Sequence, residues 1–200
     1  MSRTVHDLRD VLTDAATHLK AGADDRRGAM HTPVMGTADG DLRVLVLRAF
    51  HGENWQFRFH TDSRSPKVGM IEAQPSIGLL FYDKDVKVQI RVRGTATVHR
   101  DDALADAAWA ESTNFARRCY LAVDGPGSAS PRPTSGLPPH IEGEQPSDDD
   151  LRPARSNFAI IMVRALRLDW LYLANSGHRR AVFERGETDG TDWQGRWVIP

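Results

Sequence analysis

The spacing of apolar residues along the chain changes several times, and three stretches have the period of a helix. Apolar residues recur every three or four positions over 5–19, which predicts an amphipathic helix that Thr4 and Asp7 begin in the manner of a capping box. Ser65, a favoured N-cap residue, precedes a proline and predicts a short helix over 65–73. A third, alanine-rich helix is predicted over about 101–118.

Most of the other apolar stretches have the two-residue period of strands. The clearest is 86–98, where Val88 and Ile90 share one face while Gln89 and Arg91 share the other. Short turns connect most of these stretches, so they predict hairpins, and an antiparallel sheet that closes into a barrel, with flanking helices, is the expected fold. The predicted strands are 42–50, 55–61, 77–82, 86–98, 158–163, 166–173, 180–184 and 197–199.

The segment 124–156 differs in composition from the rest of the chain. Proline, glycine and serine crowd together there, and apolar residues become sparse. Such a segment buries too little surface to offset its ordering entropy by itself. We therefore expect a long loop within a single domain of residues 1–200, either mobile or ordered over a site or a partner chain.

Composition and charge exclude several classes of protein. The 200 residues carry a net charge of -1, which gives no general attraction to nucleic acid or to an anionic membrane. Cys119 is the only cysteine, so an intrachain disulfide is excluded and a reducing compartment is indicated. Neither a signal peptide nor a membrane span is evident in the sequence. We expect a cytoplasmic protein that binds neither nucleic acid nor membrane.

Arginine and lysine occur at the ends of otherwise apolar strands. A cation beside a buried face carries a desolvation cost unless an anion is close to it. Solvation on a half-exposed barrel is the alternative for each of them. The set consists of Arg43, Arg48, Lys67, Lys87, Arg91, Arg93, Arg179 and Arg180.

Several strings in this order resemble the pyridoxamine 5'-phosphate oxidase family. They read RVLVLR at 43–48, FHTD at 59–62, SPK at 65–67, FYD at 81–83 and VQIRVRG at 88–94. Trp170, HRRAVF at 178–183 and WVIP at 197–200 are similar to that family's C-terminal part. The resemblance covers most of the chain except 124–156, and it implies an FMN-binding split β-barrel and a homodimer with FMN between the two subunits.

The phosphate of FMN carries nearly two negative charges and is bound by Arg or Lys side chains, hydroxyls and amides at a helix N-terminus. Arg43, Thr61, Ser65 and Lys67 have the residue types and positions for such a site. For the isoalloxazine ring, the resemblance implies a larger set of contacts. These are Gln89 and Arg180 at the ring edge, with Arg48, His60, the backbone of Val44 and Leu45, and Trp170 beside the ring or the site wall.

The resemblance implies His178 as a proton partner of the substrate and Arg179 as an anion contact. The family's oxidases have an arginine two residues before that histidine, whereas this chain has Ser176. Their Ser-Arg-Pro string for the substrate phosphate is also absent from 109–118. Each lost charge-assisted contact removes roughly 1.5 to 3 kcal/mol.

These departures favour an FMN-dependent oxidoreductase with a different small-molecule substrate. Authentic pyridoxamine 5'-phosphate oxidase, or a non-catalytic module for flavin or haem, are the alternatives. The sequence leaves the substrate and the physiological electron donor or acceptor open. It also leaves open whether FMN or a deazaflavin is bound, since relatives of this barrel use either.

Overall fold

The computed structural model of the protein describes residues 7–185 and 192–200. The helices in them are α1 (Leu8–Asp24), α2 (Pro66–Ala73), α3 (Ala103–Glu111), α4 (Asn114–Arg117) and α5 (Asp148–Leu151). The strands are β1 (Val34–Gly36), β2 (Leu42–Val44), β3 (Leu47–His51), β4 (Gln56–Asp62), β5 (Ser76–Asp83), β6 (Val88–His99), β7 (Phe158–Tyr172), β8 (Arg179–Glu184) and β9 (Gln194–Val198).

The nine described strands form one antiparallel sheet, which confirms the predicted fold class. Its main order is β2-β1-β5-β6-β7-β4-β3, so β2 and β3 lie at opposite ends of this path. Only Leu45 and Val46 connect these two strands, so Val44 and Leu47 are at most about 11 Å apart. The sheet must therefore curl until its two edges almost meet, and a barrel results.

The long strand β7 pairs with three other strands of the barrel. It pairs with β6 along its length, while its other edge pairs with β4 over its first half and with β8 over its second half. Near its middle, β6 contains an irregularity between Arg93 and Gly94. A side chain at Gly94 would place its Cβ 2.2 Å from the carbonyl oxygen of Arg164, so only glycine fits this crossing.

Two apolar clusters hold the structure together. The larger one fills the barrel with the inward-facing residues of the strands and covers it with α1. The smaller one packs helices α3 and α5 on the outer face of β7, where Trp109 and Tyr120 contact the ring of Phe158 at centroid distances of 5.2 and 5.0 Å. This second cluster positions the chain that leads into and out of 124–147.

Several predicted boundaries change in the structure. Asp7 is itself the N-cap of α1, accepting from the amide of Asp10 over 2.9 Å, while Thr4 lies outside the described residues. The predicted strand 42–50 is two strands because the chain changes its pairing partner from β1 to β4. The predicted strands 158–163 and 166–173 are one, since β6 pairs across both. Residues 186–191, between the predicted strands 180–184 and 197–199, lie outside the described residues.

The segment 124–156 is irregular only in part. Residues 124–147 contain no helix or strand, as predicted, but 148–151 form α5 and 152–157 form a 3-10 turn. The Ser147 side chain and the Asp150 carboxylate make a reciprocal capping box, and acidic residues are favourable in a first helical turn. Leu151 and Ala154 are buried in the smaller apolar cluster. Their burial stabilises residues 148–157 in a way that the composition of 124–156 did not indicate.

Candidate functional site

An open cleft of about 350 Å³ lies where β4 leads into α2. Ser65 and Lys67 from the start of α2 and Arg43 from β2 line it, together with Val44 and Leu45. The Nζ of Lys67 donates to the hydroxyl of Ser65 over 2.6 Å and to that of Thr61 over 3.2 Å. The structure thus brings together the four residues predicted to bind a phosphate.

The cleft has an excess of positive charge. Burial and, after it, the neighbouring charge of Arg43 lower the pKa of Lys67. Arg43 forms an ion pair with Asp41 and donates to the hydroxyl of Thr37 over 3.1 and 3.2 Å. No carboxylate within the described ranges pairs with Lys67. An anion with several oxygen acceptors satisfies this donor set, as a phosphate does.

The backbone groups of Val44 and Leu45 differ in their hydrogen bonding to the sheet. The amide of Leu45 already donates to the carbonyl of Pro33 over 3.1 Å. Val44 lies opposite Val34 in a pair that makes no hydrogen bond, so on the edge strand β2 its backbone groups face away from β1, and the residue is 62% exposed. Both residues line the cleft, and their backbone contacts to a cofactor stay a prediction.

Arg48 and His60 lie in a different cavity, of about 250 Å³, on the outer face of β3 and β4. Arg58 joins them there and donates to the carboxylate of Glu111 over 2.7 Å. The Nε atoms of both arginines and the Nε2 of His60 are buried without a hydrogen-bond partner among the described residues. Burial and, to a smaller extent, Arg48 and Arg58 lower the pKa of His60 to about 3, so its ring is neutral near pH 7.

Gln89 and Arg180 are on the outer face of the sheet, in one row across β6, β7 and β8, with Leu171 between them. Arg180 is held by the carboxylate of Asp169, which also accepts from Arg91 over 2.5 Å. Burial raises the pKa of Asp169, but the hydrogen bond from Arg180 and the charges of both arginines outweigh it, and the pKa is lower than usual. Gln89 and Arg180 are therefore neighbours, away from Lys67.

His178 and Arg179 are exposed in the turn before β8 and at its first residue. They line a shallow cleft of about 480 Å³ with the C-terminal residues 197–200. The guanidinium of Arg179 donates to the backbone carbonyls of Gly177 and His178 over 3.2 and 2.9 Å. Within one chain, this cleft shares no lining residue with the one around Lys67.

Trp170 points into the barrel core and is 1% exposed. Its indole N–H donates over 3.0 Å to the carboxylate of Asp14 on α1. In this position it packs between the sheet and the first helix, and the surrounding core separates it from any ligand. We therefore leave Trp170 out of the candidate site.

Sequence reasoning missed Arg58, Asp169 and the role of Arg64. Arg58 shares the polar face of an alternating strand with His60, a pattern that indicates a common environment. Asp169 is a single acid in the apolar run Leu168 to Trp170, and such an acid requires a cationic partner. Arg64 lies between Thr61 and Lys67 in sequence, but its guanidinium binds Asp62 and the carbonyls of Ala122 and Val123.

Comparison with known proteins agrees with this geometry. A family model described as the FMN-binding domain of pyridoxamine 5'-phosphate oxidase matches residues 9–100. The pyridoxine/pyridoxamine 5'-phosphate oxidase of Sphingopyxis alaskensis is 30% identical over 152 residues, which are 74% of this chain and 68% of that protein. The protein of the same name from Nitrobacter winogradskyi is 39% identical over 75 residues, 36% of this chain and 34% of that one.

Two solved structures share the fold. A pyridoxamine 5'-phosphate oxidase-related, FMN-binding protein from Nostoc punctiforme superimposes with a TM-score of 0.71 at 24% identity, over 94% of this chain and 96% of that one. PhzG from Burkholderia lata, in complex with tetrahydrophenazine-1-carboxylic acid, gives a TM-score of 0.70 at 14% identity, over 100% and 99%. At such identities the likeness establishes the split-barrel fold.

Proposed function

Because the chain belongs to the pyridoxamine 5'-phosphate oxidase-related family of FMN-binding proteins, we propose that it is a cytoplasmic FMN-dependent oxidoreductase that acts on a small molecule as a homodimer. The observation that carries the proposal is the cleft in which Arg43, Ser65 and Lys67 surround a space suited to a phosphate. Lys67, half-buried beside two hydroxyls, is the strongest sign of a bound anion. For the described residues, no helix has both the length and the apolar character needed to cross a membrane.

The donor set fits FMN in this cleft. Lys67 and Arg43 supply charge, and Ser65 and Thr61 orient Nζ of Lys67 toward the cleft. When bound, FMN supplies a hydride acceptor at N5, so the protein's task is to hold the substrate and to place charge.

Contacts to the isoalloxazine ring are proposed to come from the second subunit. Arg43 on β2 and Gln89 on β6 are three strand spacings apart, about 14 Å along the sheet. Arg180, on β8, is still farther along the sheet. In the proposed two-fold dimer, the outer face of β6 to β8 of one copy lies against the cleft of the other copy. The two halves of the cofactor site then meet at the subunit interface.

Exposed apolar residues support such a dimer. Leu80 and Tyr82 lie opposite Arg91 and Gln89 in the ladder and share their outer face. Leu80 and Tyr82 are 39% and 47% exposed, and Leu42 on β2 is 68% exposed. Large apolar side chains on a sheet face beside a charged row are typical of a subunit interface. His178 and Arg179 would then approach the partner's cofactor, which keeps them as the proposed substrate-side residues.

The substrate is proposed to carry one anionic group. Arg48 makes no hydrogen bond or ion pair with the described residues. Its Nε, the Nε of Arg58 and the Nε2 of His60 are all buried without a partner in the same cavity. Glu111 pairs with Arg58, and Asp24 and Arg26 also line this cavity of about 250 Å³, so the unpaired guanidinium of Arg48 beside a neutral imidazole is what favours a carboxylate or a phosphate. We therefore assign Arg48 and His60 to the substrate rather than to the cofactor.

The cofactor site is tested with the purified protein. We expect a yellow protein whose bound molecule has the absorbance and mass of FMN, is bleached by a reductant and recovers in air. Lys67→Ala and Gln89→Ala are each expected to lower FMN content, whereas Lys84→Ala, in an exposed turn, keeps it. Unchanged occupancy in both site variants rejects the placement, and the mass of a deazaflavin rejects FMN.

The same preparation separates the remaining functions. Turnover of an amine or alcohol with reoxidation in air supports an enzyme, and a flavin that never turns over supports a binding module. Formation of pyridoxal 5'-phosphate from pyridoxamine 5'-phosphate identifies a vitamin B6 oxidase, which the match to the Sphingopyxis alaskensis protein favours. Ser176, two residues before His178, argues against it because a hydroxyl supplies no positive charge.

A further inference from the structure

Arg64 connects two parts of the chain that are far apart in sequence. Its Nε and Nη2 donate to the two carboxylate oxygens of the buried Asp62 over 3.0 and 2.7 Å. On the other side, Nη1 donates to the carbonyl of Val123 over 3.1 Å and Nη2 to that of Ala122 over 3.0 Å. One guanidinium thus bridges the end of β4 and the start of the irregular segment 122–137.

The segment that Arg64 holds forms a wall of the phosphate cleft. Pro126 and Gly127 line the cleft together with Lys67, and a Cβ added at Gly127 would be 3.8 Å from the Cγ of Pro66. Gly125 lies against Arg64 so closely that an added Cβ would be 3.1 Å from the Cβ of Arg64. The carbonyls that Arg64 binds, of Ala122 and Val123, are three to five residues before Pro126 and Gly127 in the sequence.

Asp62 makes this connection rigid. It lies directly after Thr61, its carboxylate also accepts from the amide of Arg64 over 2.8 Å, and its carbonyl accepts from the amide of Ser65 over 3.1 Å. The fork-to-fork geometry of Arg64 and Asp62 fixes the plane of the guanidinium, and with it the direction of the N–H groups that bind the carbonyls of Ala122 and Val123. The turn between Thr61 and Ser65 therefore also determines the position of the wall that Pro126 and Gly127 form.

We propose that Arg64 is a positioning residue that clamps residues 122–127 over the cofactor cleft, so that retention of the cofactor depends on a guanidinium that binds the wall rather than the ligand. The inference rests on the proposed function in that the cleft is taken to hold FMN. It adds a role for the irregular segment, which forms a fixed wall because Arg64 binds the carbonyls of Ala122 and Val123. An unclamped wall would have to be ordered each time a ligand binds, and this ordering weakens binding.

Release of FMN measures the consequence. Flavin fluorescence after dilution of the holoprotein gives the dissociation rate, which we expect to rise about tenfold in Arg64→Ala because the wall must then be ordered on binding. Arg64→Lys, which retains the charge but not the planar fork, is expected between the parent and Arg64→Ala. Arg132→Ala is the control, since Arg132 is in the same segment, is exposed, and its guanidinium makes no hydrogen bond or ion pair with the described residues. Equal rates in all four proteins overturn the clamp.

Gly125→Ala tests the same contact with the guanidinium intact. The added methyl group forces the segment away from Arg64 by a few tenths of an ångström. We expect faster FMN release in this variant too, so the test does not depend on Arg64→Ala folding. A rate equal to that of the parent in a folded Gly125→Ala protein contradicts the proposal.

A spin label separates the clamp from the proposed function. In a Cys119→Ser background, a nitroxide attached at Ser128→Cys reports the mobility of the wall in the flavin-free chain. We expect narrower spectral lines with Arg64→Ala and unchanged lines with Arg132→Ala. Narrowing in a protein that binds no FMN rejects the cofactor assignment but keeps the clamp, while FMN binding without narrowing rejects the clamp alone.

Discussion

Arg180 on β8 donates two hydrogen bonds to the carboxylate of Asp169 on the neighbouring strand, from Nε over 3.0 Å and from Nη2 over 2.8 Å. Arg91 binds the same carboxylate from the other side. Asp169 is buried, so one acid determines where two arginines of the outer sheet face are placed. In the proposed dimer, this face covers the partner's cofactor.

Asp169→Asn is expected to destabilise the protein. The change leaves Arg91, Arg93, Arg167 and Arg180 around one small cavity with less compensating charge. We expect the free energy of unfolding to fall by about 1.5 to 3 kcal/mol, the range for hydrogen bonds to a charged group. Urea denaturation measures it, with Glu184→Gln as control because Glu184 pairs with Arg167 and Arg196 at a half-exposed site. Equal losses in the two variants contradict the prediction.

His60 is expected to make the free energy of unfolding decrease in mild acid. Its pKa is about 3 in the folded chain, against an ordinary value of 6.5. Between these values the unfolded chain binds a proton that the folded chain does not, so the free energy of unfolding falls as the pH decreases, by at most about 1.4 kcal/mol per pH unit.

His60→Gln is expected to flatten this dependence between about pH 7 and pH 5, a window in which most carboxylates remain charged. Urea midpoints across the window provide the measurement. His51→Gln, on the same hairpin but with a more exposed ring, is expected to retain the slope of the parent. If the urea midpoint of His60→Gln depended on pH as steeply as that of the parent, the His60 ring of the parent would be accessible to protons in the folded protein.

Gly94→Ala tests the close crossing of β6 and β7. Its Cβ would lie 2.2 Å from the carbonyl oxygen of Arg164 and 3.0 Å from the carbonyl carbon, so backbone has to move. We expect a loss of about 1 to 3 kcal/mol in the free energy of unfolding, as for other overpacked sites. Gly78→Ala on β5 is the matched control, since its Cβ meets only a carbonyl oxygen 3.9 Å away. A smaller loss for Gly94 than for Gly78 would refute this account of the irregularity.

Trp170→Phe distinguishes a core residue from a cofactor contact. The variant removes the N–H that donates to the buried carboxylate of Asp14. We expect about 1 to 3 kcal/mol of lost stability and an unchanged FMN content. Loss of flavin at unaltered stability would instead assign Trp170 to the ring, as the resemblance implied.

The helices and strands were largely evident from the sequence because their signals are local. Alternation over 86–98 placed Gln89 and Arg91 on one face, and the structure confirms that arrangement. The strings that resemble the family led to the correct fold class. Lys67, Ser65 and Thr61 could be grouped since they are within seven residues of one another, at a strand end and a helix start.

Only the tertiary structure decided which distant residues meet. Asp169 is 11 residues from Arg180 and 78 from Arg91, and Arg64 is 59 from Val123, so no local period connects them. The division of 42–50 between the two edges of the sheet, and the separation of Arg48 from Arg43, follow from closure of the barrel. Periodicity determines the face on which a side chain lies, whereas strand order and register depend on long-range packing, and these place the charges.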